Sequence, residues 1–162
     1  MAVPPIFKLL QASPLGKTIT ESSWMFPTIE TIHVIAIATV IGSISVVDLR
    51  LLGVASKDRP VSALTQEFLP WTWAAFVLAA CSGFLLFSSR AADYMAIAAF
   101  TTKFVIMALA AVNMLVFHLT TQRSMAKWDL GRPAIGARIA GALSLVLWSA
   151  IVICGRKVGF SL

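Results

Sequence analysis

Charge is what this chain has least of. Only 12% of its 162 residues are charged and 59% are hydrophobic, where a soluble domain has about 25% charged and about 45–50% apolar residues. The mean hydropathy of +0.88 agrees. An ordinary soluble domain is excluded, and the membrane class remains. Cysteine is nearly as scarce. Cys81 and Cys154 are the only two; each lies inside an apolar run, and neither belongs to a CxxC pair. A disulfide framework and a thiolate zinc finger are both disfavoured. The chain has no GxSxG, no Gly-rich phosphate loop and no HExxH. Its polar links are too short for an extramembrane catalytic domain, so no catalytic residue is assigned. The opening MAVPPIFKLL lacks a long apolar core and a small-residue cleavage site, so it does not read as a signal peptide, and the first apolar run is expected to insert and stay. The net charge is +6. The bases sit in the gaps between apolar runs rather than on one patch, which speaks for a lipid bilayer and against nucleic acid as partner.

What the chain does have is four apolar runs, at about 27–53, 68–90, 95–121 and 135–156. Each reaches the roughly 20 residues that cross a bilayer core. Pro4 and Pro5 suit a helix start, and Ile6, Leu9 and Leu10 recur on one face, so residues 3–12 are expected to form a short interfacial helix. Pro14 and Gly16 are expected to end it. The predicted fold is all-α: one domain over residues 1–162, a polytopic four-helix transmembrane bundle with up-down-up-down topology. One side of the membrane holds both termini and carries Lys8, Lys17, Arg90, Arg156 and Lys157. The second side carries Arg50, Lys57, Arg59, Arg123, Lys127, Arg132 and Arg138. Seven bases against five place the links in the cytoplasm and both termini outside.

Polar residues inside spans are costly and commonly face the bundle interior or a cavity. The run Trp24–Gly53 contains no charge between Glu30 and Asp48, which lie about 27 Å apart along a helix. Glu30 and His33 share a helix face. By topology Lys103, Cys154 and Arg156 belong to the same side. Glu-x-x-His is the spacing used by di-metal carboxylate bundles. A neutral imidazole also suits haem iron or copper, and a thiolate such as Cys154 suits copper(I). A complete di-metal site needs the motif twice plus further acids, and the other spans supply neither. The alternative is structural: Glu30 pairs with Lys103, and His33 hydrogen-bonds within the bundle. His118 is a second haem-ligand candidate. It falls more than about 20 Å from His33 in depth, so one haem cannot join the two within a monomer. Beside the interface tryptophans, His118 also reads as an anchoring residue. Asp48 and Arg50 do not face each other, and each is expected to pair with another helix end, for example Arg138 or Arg123. Small residues on the first, second and fourth spans (Gly42, Ser43 and Ser45; Ala79, Ala80, Ser82 and Gly83; Gly136, Ala140, Gly141 and Ser144) let helices approach closely or serve a homo-oligomer.

A run of motifs carries a resemblance: Trp24–Pro27–Glu30–His33, then Val47-Asp48-Leu49-Arg50-Leu51-Leu52-Gly53, Pro70-Trp71-Thr72-Trp73-Ala74, Lys103, Asn113, Phe117-His118, Trp128-Asp129, Ser144–Leu147-Trp148 and Gly155-Arg156. In order and spacing it resembles an uncharacterised family of small four-span bacterial inner-membrane proteins, catalogued as a domain of unknown function. That resemblance implies a multi-pass bacterial inner-membrane protein and no particular activity. A looser likeness, through a histidine near the start of a span, is to the copper-resistance D and cytochrome-b-like four-helix membrane proteins.

The reading that follows is an integral membrane subunit of a redox or metal-handling system. It binds haem b or a metal ion such as copper near one membrane face and passes electrons or the ion to a membrane or periplasmic redox partner. The cofactor-binding candidates are His33, Glu30, Lys103, His118 and Arg156; the metal-ligand candidates are His33, Glu30 and Cys154. His33 is the expected ligand, Glu30 a second ligand or the group that orients the imidazole, and Lys103 a charge balance. The rival classes are a non-enzymatic membrane scaffold with a purely structural polar cluster, and a small-solute or proton carrier.

Overall fold

The computed structural model describes residues 3–161, and within them every regular element is helical. Two short helices come first, α1 (Pro5–Gln11) and α2 (Pro14–Glu21). The long helices α3 (Met25–Leu52) and α4 (Val61–Ser89) follow. Next come the six-residue α5 (Ala91–Ala96) and α6 (Ala98–Val116), which runs on through a π-helical turn (Phe117–Thr121). A 3₁₀ segment (Gln122–Lys127) and the last helix α7 (Ile135–Ser161) complete the chain. Four helices are long and apolar enough to cross a membrane, and the protein is a multi-pass, all-α four-span bundle.

Local chemistry accounts for most boundaries. Gly53 ends α3 in the left-handed conformation (φ 74°), and its N–H and that of Val54 return to the carbonyls of the last turn, as a glycine C-terminus does. Pro60 precedes α4 in an extended conformation, and the helix begins at Val61 rather than near 68. Pro70 therefore lies inside α4 instead of opening it. The first helix ends at Gln11, ahead of Pro14 as expected, but Pro14 also starts a second helix: Ser13 Oγ accepts from Gly16 N–H at 3.2 Å, with Pro14 in the first helical turn. This is the Ser-Pro start that favours a helix N-terminus. α2 docks tightly on the end of α4. A Cβ on Gly16 would stand 2.7 Å from the Ser88 carbonyl, and Thr20 donates to the Ser89 carbonyl at 3.0 Å.

The spans do not pack as four equal partners. α3 lies between α4 and α7, and α6 leans chiefly on α7. Along α3, His33, buried Ala36 and Val40, and Ser43 recur at i, i+3, i+7 and i+10, one helical stripe. His33 and Ser43 both bond to α4, so that stripe faces it. Asp48 and Leu51 meet α7 at Gly141, where an added Cβ would stand 3.0 Å from the Asp48 carbonyl and 3.1 Å from Leu51 Cβ. Asn113 ties α6 to α7, donating to the Ala140 carbonyl at 3.0 Å. On α6, Phe104, Val105, Leu109, Val112, Leu115 and Val116 are exposed, and Ala110 alone is buried. Lipid is the solvent for such a face. At the second side a core of Leu51, Val61, Trp128 and Ala137 closes the bundle.

Candidate functional site

Two polar constellations stand at the two ends of the bundle. At the first side His33 lies eight residues into α3, about 12 Å along the helix from its start. It is half-buried and turned into α4, with Nδ1 2.9 Å from Ser82 Oγ. The Ser82 hydroxyl gives its own proton to the Leu78 carbonyl at 2.7 Å. In the tautomer with the proton on Nδ1 the hydroxyl accepts from Nδ1–H, and the lone pair of the neutral ring falls on Nε2. Gly83 makes room for the imidazole, since a Cβ there would stand 2.9 Å from His33 Cε1. Lys103, half-buried on α6, reaches toward α7. Its Nζ is 3.9 Å from the position of a Gly155 Cβ and within electrostatic range of both Cys154 and His33.

Glu30 stands apart from this group. It is exposed, because three residues on a helix leave about 60° between it and His33. The ion pair expected between Glu30 and Lys103 is not formed; among the described residues the one salt bridge is Arg59–Glu67 at 2.5 Å. Glu30 acts instead on Tyr94 of α5. Burial pushes the Tyr94 phenol up from its usual range; nearby Arg90 opposes that rise, while Glu30 and Asp93 add to it. Tyr94 belongs to an aromatic cluster in which its ring stacks on Phe100 at 5.2 Å and Phe100 stacks on Phe87 at 5.4 Å. That cluster joins the ends of α4 and α6.

The remaining candidates are dispersed. His118 is exposed in the π-helical turn, with Nδ1 2.8 Å from the Met114 carbonyl. Arg156 is exposed and lies over the Phe160 ring at 4.4 Å. Cys154 and Cys81 are free thiols. Among the described residues no three His, Cys, Asp or Glu side chains converge on a metal-sized point. Lys103 thus reaches His33 and Cys154 each electrostatically, and Glu30, His118 and Arg156 take no part in these contacts.

The second side is built differently. Arg50 is 1% exposed, and its guanidinium meets backbone carbonyls instead of a carboxylate. Nε donates to Arg59 O at 2.8 Å, and Nη2 to Asp129 O at 3.0 Å and Gly131 O at 3.3 Å. One side chain thereby fastens the 53–60 link and the 128–134 link to the end of α3. Asp129 caps α4 from outside. Its carboxylate accepts from Ser62 N–H at 2.8 Å and from Ser62 Oγ at 2.5 Å, while Val61 N–H donates to the Asp129 carbonyl at 3.2 Å. The Ser62 hydroxyl holds the Asp129 carboxyl below its ordinary range. Asp48 meets neither Arg123 nor Arg138, contrary to expectation. Asp48 is buried, lies beside Ser144 of α7, and leaves Oδ2 without a hydrogen-bond partner among the described residues. Reading by sequence left Ser62, Ser82 and Ser144 without these roles. Their only signal was a small hydroxyl at helical spacing among alanines and glycines.

Neither a curated protein nor a solved structure matches the chain. A family model, described as a family of unknown function (DUF6644), does match, over residues 7–161. Nearly the whole chain is covered, both polar ends included, and the protein belongs to that family.

Proposed function

We propose that the protein is the membrane subunit of a redox or metal-handling system, with His33 as the ligand for haem b or a metal ion near one membrane face. One observation supports this reading. His33 Nδ1 is held 2.9 Å from Ser82 Oγ, and with the proton on Nδ1 this is the outer-shell contact that orients the ring in ligating histidines. The free lone pair then sits on Nε2, in a span with no charge between Glu30 and Asp48. Lys103 and Cys154 lie close enough to balance charge or to add a soft donor. Among the described residues fewer than three His, Cys, Asp or Glu side chains meet at His33, so a partner chain or a second copy completes the ligand set. The setting is a bacterial inner membrane with both termini periplasmic, by the excess of bases on the opposite side. The looser likeness to copper-resistance D proteins accords with a single histidine near the start of a span.

Protein purified in mild detergent from its native membrane is expected to show a Soret band or a stoichiometric metal. His33→Ala is expected to remove it and His118→Ala to keep it. No Soret band and no metal ends this reading. The same Ser82 contact favours a second one, in which His33 only fastens α3 to α4. A His33→Ala, Ser82→Ala double-mutant cycle with coupling of about 1 kcal/mol in thermal stability and no chromophore selects that alternative.

A further inference from the structure

The buried acid at the other end of α3 takes no part in that reading. Asp48 lies five residues before Gly53, about 7 Å along the helix from its second-side end. It faces α7 at the closest approach of the two helices, where Gly141 has no room for a side chain. Asp48 is 6% exposed, with Ser144 beside it and with Oδ2 meeting no donor among the described residues. Among the described residues no charged group of the surrounding elements pairs with it. Arg50, on the same helix, is bound to three carbonyls; Glu67 of α4 pairs with Arg59; Asp129 of the second-side link is bound to Ser62. Lys127, Arg132 and Arg138 make no ion pair with Asp48. An ionised carboxylate in such a place lacks both water and a counter-ion, which costs more than the bundle has to offer it. The donor set does not suit a metal cation: among the described residues no three His, Cys, Asp or Glu side chains gather at the acid, and hard cations take about six oxygens. A proton needs only the carboxyl itself.

We propose that Asp48 is a proton-binding site within the membrane, neutral while α3 and α7 are packed and able to release its proton to the second side only when they part. With the proton on Oδ2, the unpartnered oxygen becomes a hydroxyl and no net charge is buried. The other oxygen accepts from the Ser144 hydroxyl. Loss of the proton to water leaves a carboxylate that must be hydrated, and hydration requires a gap at Gly141. Protonation of one carboxyl is thereby coupled to the α3–α7 joint, independently of anything bound at His33.

Infrared difference spectroscopy of the full chain in lipid tests this directly. At neutral pH the spectrum of the parent minus Asp48→Asn is expected to contain the C=O stretch of a protonated carboxylic acid. Asn is isosteric with the neutral acid, so that variant is expected to fold with unchanged thermal stability. Ser144→Ala is expected to move the same band by removing the hydroxyl beside the acid. A difference spectrum in which Asp48→Asn removes only carboxylate bands overturns the proposal. If Asp48→Asn yields no folded protein, Ser144→Ala still decides: movement of the acid band supports the site, and movement of carboxylate bands alone refutes it.

Discussion

The two ends of the bundle use their polar groups in opposite ways. At the second side Arg50 is saturated by carbonyls from two links, and Asp129 closes the start of α4. At the first side His33 has a single side-chain partner, Lys103 has no ion pair and Glu30 faces outward. One end is fastened; the other holds side chains with unused donor or acceptor capacity. The contrast teaches that an ionisable residue in a span is no guide to function until its partners are known. The most deeply buried charged side chain in the molecule, Arg50, serves the backbone, and the less buried His33 is the one left with chemistry to offer.

The sharpest way to break the contrast is at Arg50. Arg50→Ala strips three carbonyls of their donor at once and is expected to cost about 3 kcal/mol or more. Thermal unfolding in detergent reads this. Arg50→Lys is expected to restore little, because an ammonium cannot span the same fork of acceptors. His33→Ala removes one bond and is expected to cost only about 1 kcal/mol in the same measurement, with its main effect on any bound chromophore.

The Asp129 cap sharpens the comparison next. Asp129→Ala is expected to cost about 1 kcal/mol at neutral pH. Its carboxyl lies below the ordinary value of 3.8 in the folded protein, so its contribution is fully present above that value and is lost as pH falls through the lower folded one. Unfolding scans in acid should show the second-side links loosening in that window, and Asp129→Asn should lack the step. The smallest effect is expected at His118, which is exposed and bonded only to its own helix. His118→Ala should stay within about 0.5 kcal/mol of the parent.

The four spans were legible because lipid demands one thing of all of them: a long apolar helix with its backbone satisfied internally. The N-terminal pair α1 and α2 was half legible. The Pro4-Pro5 start is local, but Pro14 reads equally as a breaker or as the first turn of a new helix, and docking on Ser88 and Ser89 settled it. At the first side, topology was enough to put His33 and Lys103 at one end. Facing was not legible: the spacing that puts Glu30 and His33 on one face still leaves one in the α4 contact and the other outside. The pairing of Asp48 and Arg50 with other helix ends failed for a related reason. The strongest acceptors near Arg50 are backbone carbonyls of links, which a list of side chains does not contain.

Taken alone, the sequence determined the class of solvent, the number of spans, the end of the bundle to which each polar residue belongs, and the glycine that stops α3. These follow from hydropathy and backbone preference, which act over a few residues. Only the tertiary structure decided that α3 is central and α6 peripheral, that His33 rests on Ser82, that Arg50 holds two links, and that Asp48 pairs with no basic side chain among the described residues. Each depends on which residue a neighbouring helix presents within about 3 Å, a distance set by the packing of small side chains and by nothing local to either chain segment.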